Sequence, residues 1–442
     1  MEKNDKFFGK VCDINDDGDG VVKFNNQVIF TPNTWLDEEI EGIVINAKSK
    51  FAVGKATQIK KQNENRIIPP CPYASSCGGC SLQHISYDEQ LRFKKEKLIH
   101  VFKKVANIDI SPNDTVVSNS TRYRNKISLP VNDKLEIGLF RTNSHKILEI
   151  DDCLISKNWT KPLIDAVKEY MTENNISGYN EQTKSGLIKH IVAREVNNSV
   201  LISIVVNGES LPKSENLVNK LRPIFTNFGL NININKLHNN VILGSAFKHI
   251  YGLTELTVVD EDITYPVSNA SFLQVNDDIA HKIYNKVISY IDNSDIVINA
   301  YSGAGLLTAK LSKFANTAYG IEIVKEATDS ANKLAKSNNI TNMINICGDC
   351  TIEIPKLLKQ GIQNHIIVVD PPRKGCDDKV LDAIIKSKPK KIIYVSCNPN
   401  TLARDVKKLT ESNAYLIEEI TPFDMFPHTS HVETVVCLTH VI

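Results

Sequence analysis

The strongest constraint on what this chain can fold into lies in its last third. Five short apolar stretches, Ile296-Val-Ile-Asn, Ala318-Tyr-Gly-Ile-Glu, Ile344-Asn-Ile-Cys, Ile366-Ile-Val-Val-Asp and Lys391-Ile-Ile-Tyr-Val-Ser, alternate with segments of helical spacing. Strands that alternate with helices predict a doubly wound α/β sheet, largely parallel, whose ligand lies at the carboxyl ends of the strands.

The earlier parts differ in character, and 442 residues exceed one ordinary core. Residues 1–64 hold short strand-like segments, including Val21-Val-Lys-Phe and Val28-Ile-Phe after the turn cluster Asp16-Asp-Gly-Asp-Gly20, and predict a small β-barrel. A polar stretch ending in Pro69-Pro70 reads as a linker. Residues 65–265 form a mixed α+β central unit without a repeat, and 266–442 form the sheet unit. Within the central stretch, Asp88 to Lys104 has helical spacing, with Leu91, Leu98 and Phe102 inward and a basic outer face, and can pack on the sheet unit.

Bulk properties exclude some classes. A net charge of +1 gives no global argument for nucleic acid, so any such surface must be a local patch. The start Met1-Glu-Lys-Asn-Asp-Lys lacks a signal-peptide core, and no stretch approaches the roughly 20 apolar residues of a membrane span. The expectation is a cytoplasmic protein with no membrane and no obligate protein partner implied. In that reducing compartment ten cysteines argue for metal binding or catalysis rather than disulfides.

The loop after the first strand, Ala300-Tyr-Ser-Gly303-Ala-Gly305-Leu306, lets the backbone approach a ligand and turn tightly into a helix. Thr308 stands where a dinucleotide fingerprint has its third glycine, which disfavours NAD. Glu322 ends the next strand, where an acid can accept from ribose hydroxyls. These features point to a nucleoside-containing cofactor. Asp370-Pro-Pro-Arg-Lys-Gly375 follows the fourth strand, and its prolines stiffen the backbone that presents Asp370. Cys397 follows the fifth. A lone cysteine there is more often a small buried hydrophobe than a nucleophile. This one abuts Asn398-Pro399, so the chain leaves the strand at once and the thiol is set at the site edge. Asp424-Met-Phe-Pro-His428-Thr-Ser-His431-Val-Glu433 precedes a final strand. Alone it reads as a solvated turn; beside Cys397 a carboxylate has a use as a general base.

One chemistry needs these types together. C5 of uracil is a poor nucleophile until a thiolate adds at C6 and leaves electron density at C5. A methyl donor and a base that removes the C5 proton complete the set. On the motifs above, together with Ser271-Phe-Leu-Gln-Val-Asn276 and Thr401-Leu-Ala-Arg-Asp405, the chain resembles the RNA uridine-C5 methyltransferases, densely over roughly its last 175 residues. The resemblance implies S-adenosylmethionine as cofactor, Cys397 as nucleophile and Glu433 as base. It places Gln274, Tyr301, Glu322 and Asp370 around the cofactor with the glycines Gly303 and Gly305, Asp349 near the adenine, and Phe272 beside the reacting base or cofactor. Two positions depart from the pattern: Asn299 stands for the usual Asp at the strand end and Ser302 for a Cys in the loop.

Cys71-Pro-Tyr-Ala-Ser-Ser-Cys77-Gly-Gly-Cys80 has a C-x5-C-x2-C spacing that implies a soft metal. Spacing alone leaves zinc and iron–sulfur both open, with Cys12 and Cys153 as candidate fourth ligands. The subset of the family with this spacing carries a 4Fe–4S cluster and matches Cys153 as the last ligand. The N-terminal barrel resembles the TRAM domain, an OB-like RNA-binding module. Arg122, Arg124 and Lys126, interleaved with Tyr123, form a local patch suited to phosphates and an unpaired base, and the target uridine must be flipped from any stack. By resemblance the RNA is 23S ribosomal RNA, with tRNA as the alternative. Rival readings are an exocyclic amino methyltransferase, which has no use for Cys397, and a non-catalytic iron–sulfur RNA-binding protein, for which Asn299 and Ser302 are the only support.

Overall fold

The computed structural model describes residues 1–411 and 413–441. The chain begins with β1 (Lys6–Ile14), β2 (Gly20–Phe24), β3 (Gln27–Thr31), β4 (Glu39–Ala47) and β5 (Phe51–Lys61). They close into a barrel in the order β1-β2-β3-β5-β4 around Phe7, Val11, Val22, Ile29, Ile40 and Val44. Gly42 and Gly54 make room for Phe7: a Cβ on either would stand 2.4 or 2.6 Å from its ring.

After the cysteine loop comes α1 (Tyr87–Val101), continued by a π-helical turn over Phe102–Ala106. Leu98, Val101 and Phe102 join the core of the C-terminal sheet. The inward face is not purely apolar: Lys94, one turn before Leu98, is fully buried at 0% exposure.

The central unit contains β6 (Lys126–Pro130), β7 (Gly138–Phe140), β8 (Ile147–Glu149), α2 (Thr160–Glu173), β9 (Ile188–Val196), β10 (Ser199–Val206), α3 (Ser214–Leu221), β11 (Phe228–Ile234), β12 (Ala246–Gly252), β13 (Leu256–Asp260) and β14 (Ile263–Val267). Its sheet runs β12-β11-β10-β9-β6, and residues of α2 and α3 share one core with its apolar face. The β13–β14 hairpin bridges units: Leu256 and Val267 pack on Val196 and Leu201, while Ile263 packs on Ala309, Ala331 and Leu334.

The last unit is α4 (Asp277–Ile288), β15 (Ile296–Ala300), α5 (Leu306–Ser312), β16 (Thr317–Glu322), α6 (Lys325–Ser337), β17 (Met343–Cys347), α7 (Cys350–Lys359), β18 (His365–Val369), α8 (Asp378–Ser387), β19 (Lys391–Ser396), α9 (Pro399–Thr410), β20 (Tyr415–Phe423) and β21 (Glu433–His440). The sheet order is β17-β16-β15-β18-β19-β21-β20, with the first five strands parallel and the last two antiparallel to their neighbours. Successive residues feed opposite cores. Val297, Ile366, Val368, Ile393 and Val395 face α4 and α5, whereas Ile298, Ile367, Val369, Ile392 and Tyr394 face α7 to α9 and the end of α1. Burial on both faces is why these strands read as continuous apolar runs. The order reverses between β15 and β18, which opens a crevice at the end of β15. No helix among the described residues is long and apolar enough to cross a membrane.

Candidate active site

The loops that follow β15, β16, β17, β18 and β19 emerge at one edge of the sheet. Because β21 runs the other way, its first residue also lies at this edge. The ladder pairs Ser396 with Thr434. Cys397 and Glu433 are the next residues along the two strands, and the Glu433 carboxylate is near enough to raise the Cys397 thiol.

Local bonds set the thiol. Asn398 caps α9 through Oδ1, which accepts from Asn400 N at 3.0 Å, and Pro399 occupies the first turn, where a missing N–H costs nothing. Asn398 Nδ2 donates to Arg373 O at 3.0 Å, and Thr401 Oγ1 donates to the same carbonyl at 3.3 Å. Arg404 donates to Lys374 O at 3.0 Å. Buried Asp405 accepts from Cys376 N at 2.8 Å and from Tyr394 OH at 2.7 Å. Gly375 permits this closeness: at φ +78° its Cβ would lie 2.6 Å from Asp405 Oδ2. The helix after the nucleophile thus clasps the Asp370–Gly375 loop.

Arg373 faces the pair. Burial and the Glu433 carboxylate push the Cys397 thiol up, and the Arg373 guanidinium opposes them. Glu433 is pushed up to about 8 by burial, with Asp370 adding and Arg373 opposing. Asp370 opens onto the cleft, but protein surrounds the cleft and raises its carboxyl to about 6. The sequence reading quoted Arg373 within its motif but gave it no role, since only the fold brings it to the pair.

On the cofactor side, Tyr301 is held in the left-handed region at φ 61°, a strained conformation for an aromatic residue and one that recurs at ligand sites. Gly303 has φ +56° and open space where a Cβ would be, and its N–H donates to Glu322 Oε2 at 2.9 Å. Gly305 has φ +88° and packs under Ala331 and Met343. Asp349 caps α7 by accepting from Thr351 N at 2.8 Å, and the Thr351 hydroxyl, donating at 2.7 Å, together with that N–H holds its carboxyl low. Gln274 lines a cavity of about 110 Å³ with Leu273, Asp277, Tyr284 and Leu306, and Asn125 Nδ2 donates to its carbonyl at 2.9 Å. Of the two departures, Asn299 turns away and donates to Thr308 Oγ1 at 2.9 Å, while Ser302 is buried.

Cys71, Cys77, Cys80 and Cys153 line one cavity of about 40 Å³ with Tyr73, Ala74, Leu139, Ile150 and Ile155. Cys12 lies elsewhere, on β1, bonded to Val21 O at 3.3 Å. Burial pushes Cys80 up to about 12. Among the described residues no group of three or more His, Cys, Asp or Glu is arranged to hold a metal ion.

The patch at 122–126 turns largely inward. Arg122 binds both oxygens of Asp152 at 2.6 and 3.1 Å, and also Cys153 O at 3.0 Å and Ser156 O at 3.1 Å. Lys126 Nζ donates to Asn269 O at 2.6 Å, and burial lowers it to about 8. Arg124 uses Nε on Lys126 O at 3.0 Å. Phe272, by contrast, is 87% exposed.

The model of the tRNA (uracil-5-)-methyltransferase family matches residues 86–441. An uncharacterized RNA methyltransferase of Staphylococcus aureus (strain COL) is 39% identical over 448 aligned residues, covering 98% of each chain. One of Staphylococcus epidermidis is 38% identical, covering 98% of this chain and 97% of that one. Among solved structures, the Pyrococcus abyssi tRNA (uracil-54, C5)-methyltransferase in complex with S-adenosyl-L-homocysteine matches with a TM-score of 0.79 at 28% identity, covering 98% of this chain and all of that one.

Proposed function

The chain belongs to the tRNA (uracil-5-)-methyltransferase family and is an S-adenosylmethionine-dependent RNA uracil-5-methyltransferase; from that premise we propose that its target uridine lies in 23S ribosomal RNA and that Cys397 carries the reaction as a covalent nucleophile. The observation that supports the covalent step is the register of β19 and β21, whose last pair, Ser396 with Thr434, leaves Cys397 and Glu433 as the next residues at the cofactor edge; the choice of 23S ribosomal RNA rests on resemblance.

In this reading Cys397 Sγ, as thiolate, bonds to C6 of the flipped uracil, and the C5=C6 electrons shift toward C5 and O4. S-adenosylmethionine supplies an electrophilic methyl group when bound. Glu433 then takes the proton from C5, the C5=C6 bond re-forms, and Cys397 leaves as thiolate. Arg373 favours both anions in turn. Gln274, Tyr301, Gly303, Gly305, Glu322, Asp349 and Asp370 hold the cofactor. The barrel at 1–64 and the central unit grip the RNA, with Phe272 and Arg124 as contacts. Arg122 and Lys126 instead brace the protein.

We assign Cys71, Cys77, Cys80 and Cys153 to a 4Fe–4S cluster. Four half-buried thiols line one small cavity; their spacing suits either zinc or iron–sulfur, and the choice of the cluster rests on resemblance. A bound cluster would pin the loop that Arg122 clasps at Cys153 O. Protein purified without oxygen should carry visible iron–sulfur absorbance that Cys80→Ser removes; a colourless wild-type protein retaining zinc overturns the assignment.

The functional test uses total RNA from cells deleted for this gene, incubated with the protein and S-adenosylmethionine and then separated by class. The reading expects new 5-methyluridine in 23S ribosomal RNA. Its appearance only in tRNA corrects the target, and methylation of an exocyclic amine overturns the chemistry.

A further inference from the structure

The base sits at the mouth of a hairpin whose loop, 424–432, is closed by the pair Phe423 and Glu433. Such a polar segment would ordinarily be solvated, yet Asp424, Met425, His428, Ser430 and Val432 are buried. Successive carbonyls are all bound from other segments. Met425 O accepts from Asn276 Nδ2 at 3.2 Å, Phe426 O from Lys94 Nζ at 3.1 Å, Pro427 O from Tyr123 OH at 3.3 Å, and His428 O from the N–H groups of Ser81 and Leu82 at 2.9 Å.

Helix α1 supplies the densest set. Tyr87 OH donates to Asp424 Oδ2 at 2.7 Å, and Lys94 Nζ is ion-paired with Oδ1. Gln90 Oε1 accepts from His428 N at 3.0 Å, and Lys97 Nζ donates to Ser430 O at 3.1 Å. Positions 87, 90, 94 and 97 recur at spacings of three and four, so they form one stripe of the helix. Leu98, Val101 and Phe102 continue this face one turn further on and pack on the sheet core. A buried lysine–carboxylate pair seldom adds stability over apolar packing, but it does fix one geometry.

We propose that this stripe, centred on Lys94, is a positioning element for Glu433 and that it governs removal of the C5 proton rather than formation of the covalent adduct. The inference rests on the reading of Glu433 as the base. Its physical content is step-selective: the stripe holds the hairpin mouth, whereas Cys397 and the cofactor loops are held by α9 and the parallel strands. A carboxylate displaced by about 1 Å loses on the order of a hundredfold in rate.

The test uses the full-length protein and total RNA from cells deleted for this gene, grown on uracil or on 5-deuterouracil. Three quantities are read for wild type, Lys94→Met, Gln90→Ala and Glu433→Gln: kcat and KM for S-adenosylmethionine, the fraction of enzyme covalently linked to RNA, and the deuterium effect on kcat. Lys94→Met is expected to lower kcat about a hundredfold with KM changed less than about twofold. Linked enzyme should accumulate, and the deuterium effect should rise above wild type. Gln90→Ala leaves no unpaired charge and should shift the same readouts by about tenfold, so it carries the test should Lys94→Met fail to fold. Wild-type linkage in the folded variants, or loss of activity with raised KM and no linked enzyme, overturns the inference. If Glu433→Gln accumulates linked enzyme and the stripe variants do not, only the positioning role falls. If Glu433→Gln turns over normally, the base reading falls and this inference with it.

Discussion

The two halves of the site are built by opposite means. The nucleophile half is local: the partners that set Cys397 and the loop beside it lie between 2 and 30 residues apart in sequence. The base half is remote: the side chains of Tyr123, Lys94, Lys97, Tyr87 and Gln90 that hold the 424–432 loop are between 304 and 338 residues away. A locally built half can be presented by one contiguous stretch, from the end of β18 to α9. A remotely built half exists only once the N-terminal helix has docked, so it should be the part most easily misaligned without loss of the fold.

The largest expected effect removes the nucleophile. Cys397→Ala should lower methyl transfer by about four orders of magnitude or more with cofactor binding and stability unchanged, measured by transfer assay and calorimetry. Retained activity would break the comparison at its stronger side. Glu433→Gln should cost about a thousandfold and leave RNA linked to the enzyme, because addition survives and elimination does not. Equal loss of addition would show that the halves are not separable. Asp405→Ala probes the local clasp. It strands the Cys376 N–H and the Tyr394 hydroxyl, and should destabilise by about 3 kcal/mol in urea unfolding, with adduct formation rather than release impaired.

The smallest effect is a shift in pH dependence. Glu433 is raised to about 8, so it holds a proton at neutral pH and the release step should quicken as pH rises toward 8. The same shift acts on folding in the opposite direction. Between its ordinary 4.5 and about 8 the folded chain binds a proton that the unfolded chain does not. That stabilising contribution is full below 4.5 and is lost as pH rises through 8. Arg373→Gln removes the cation that favours the carboxylate, so the rate profile should move to more alkaline pH; no movement would remove Arg373 from the pair.

Legibility in the sequence follows the same division. The parallel strands, the glycine loop, Cys397 with its Asn-Pro cap and the Asp370 turn are short-range patterns, and each could be read from neighbouring residues. Helical spacing also found α1, but a wheel cannot tell which cations find a buried partner hundreds of residues away, so it gave Lys94 no acceptor. For the same reason the 424–433 segment read as a turn although the carbonyls of residues 425–428 and 430 are bound from other segments. The protein acceptors of Arg122 and Lys126, Asp152 and Asn269, were not legible because they are distant in sequence. Spacing left Cys12 and Cys153 both open and resemblance chose Cys153; of the two, Cys153 lines the cavity of Cys71, Cys77 and Cys80.

The most direct measurement is to incubate the protein with S-adenosylmethionine and total RNA containing 5-fluorouridine, then to sequence the trapped peptide by mass spectrometry. Fluorine at C5 cannot leave as a proton, so the account predicts a stable adduct on Cys397 that carries the transferred methyl group. Methyl transfer to unsubstituted RNA with no adduct on Cys397 from fluorinated RNA would contradict it.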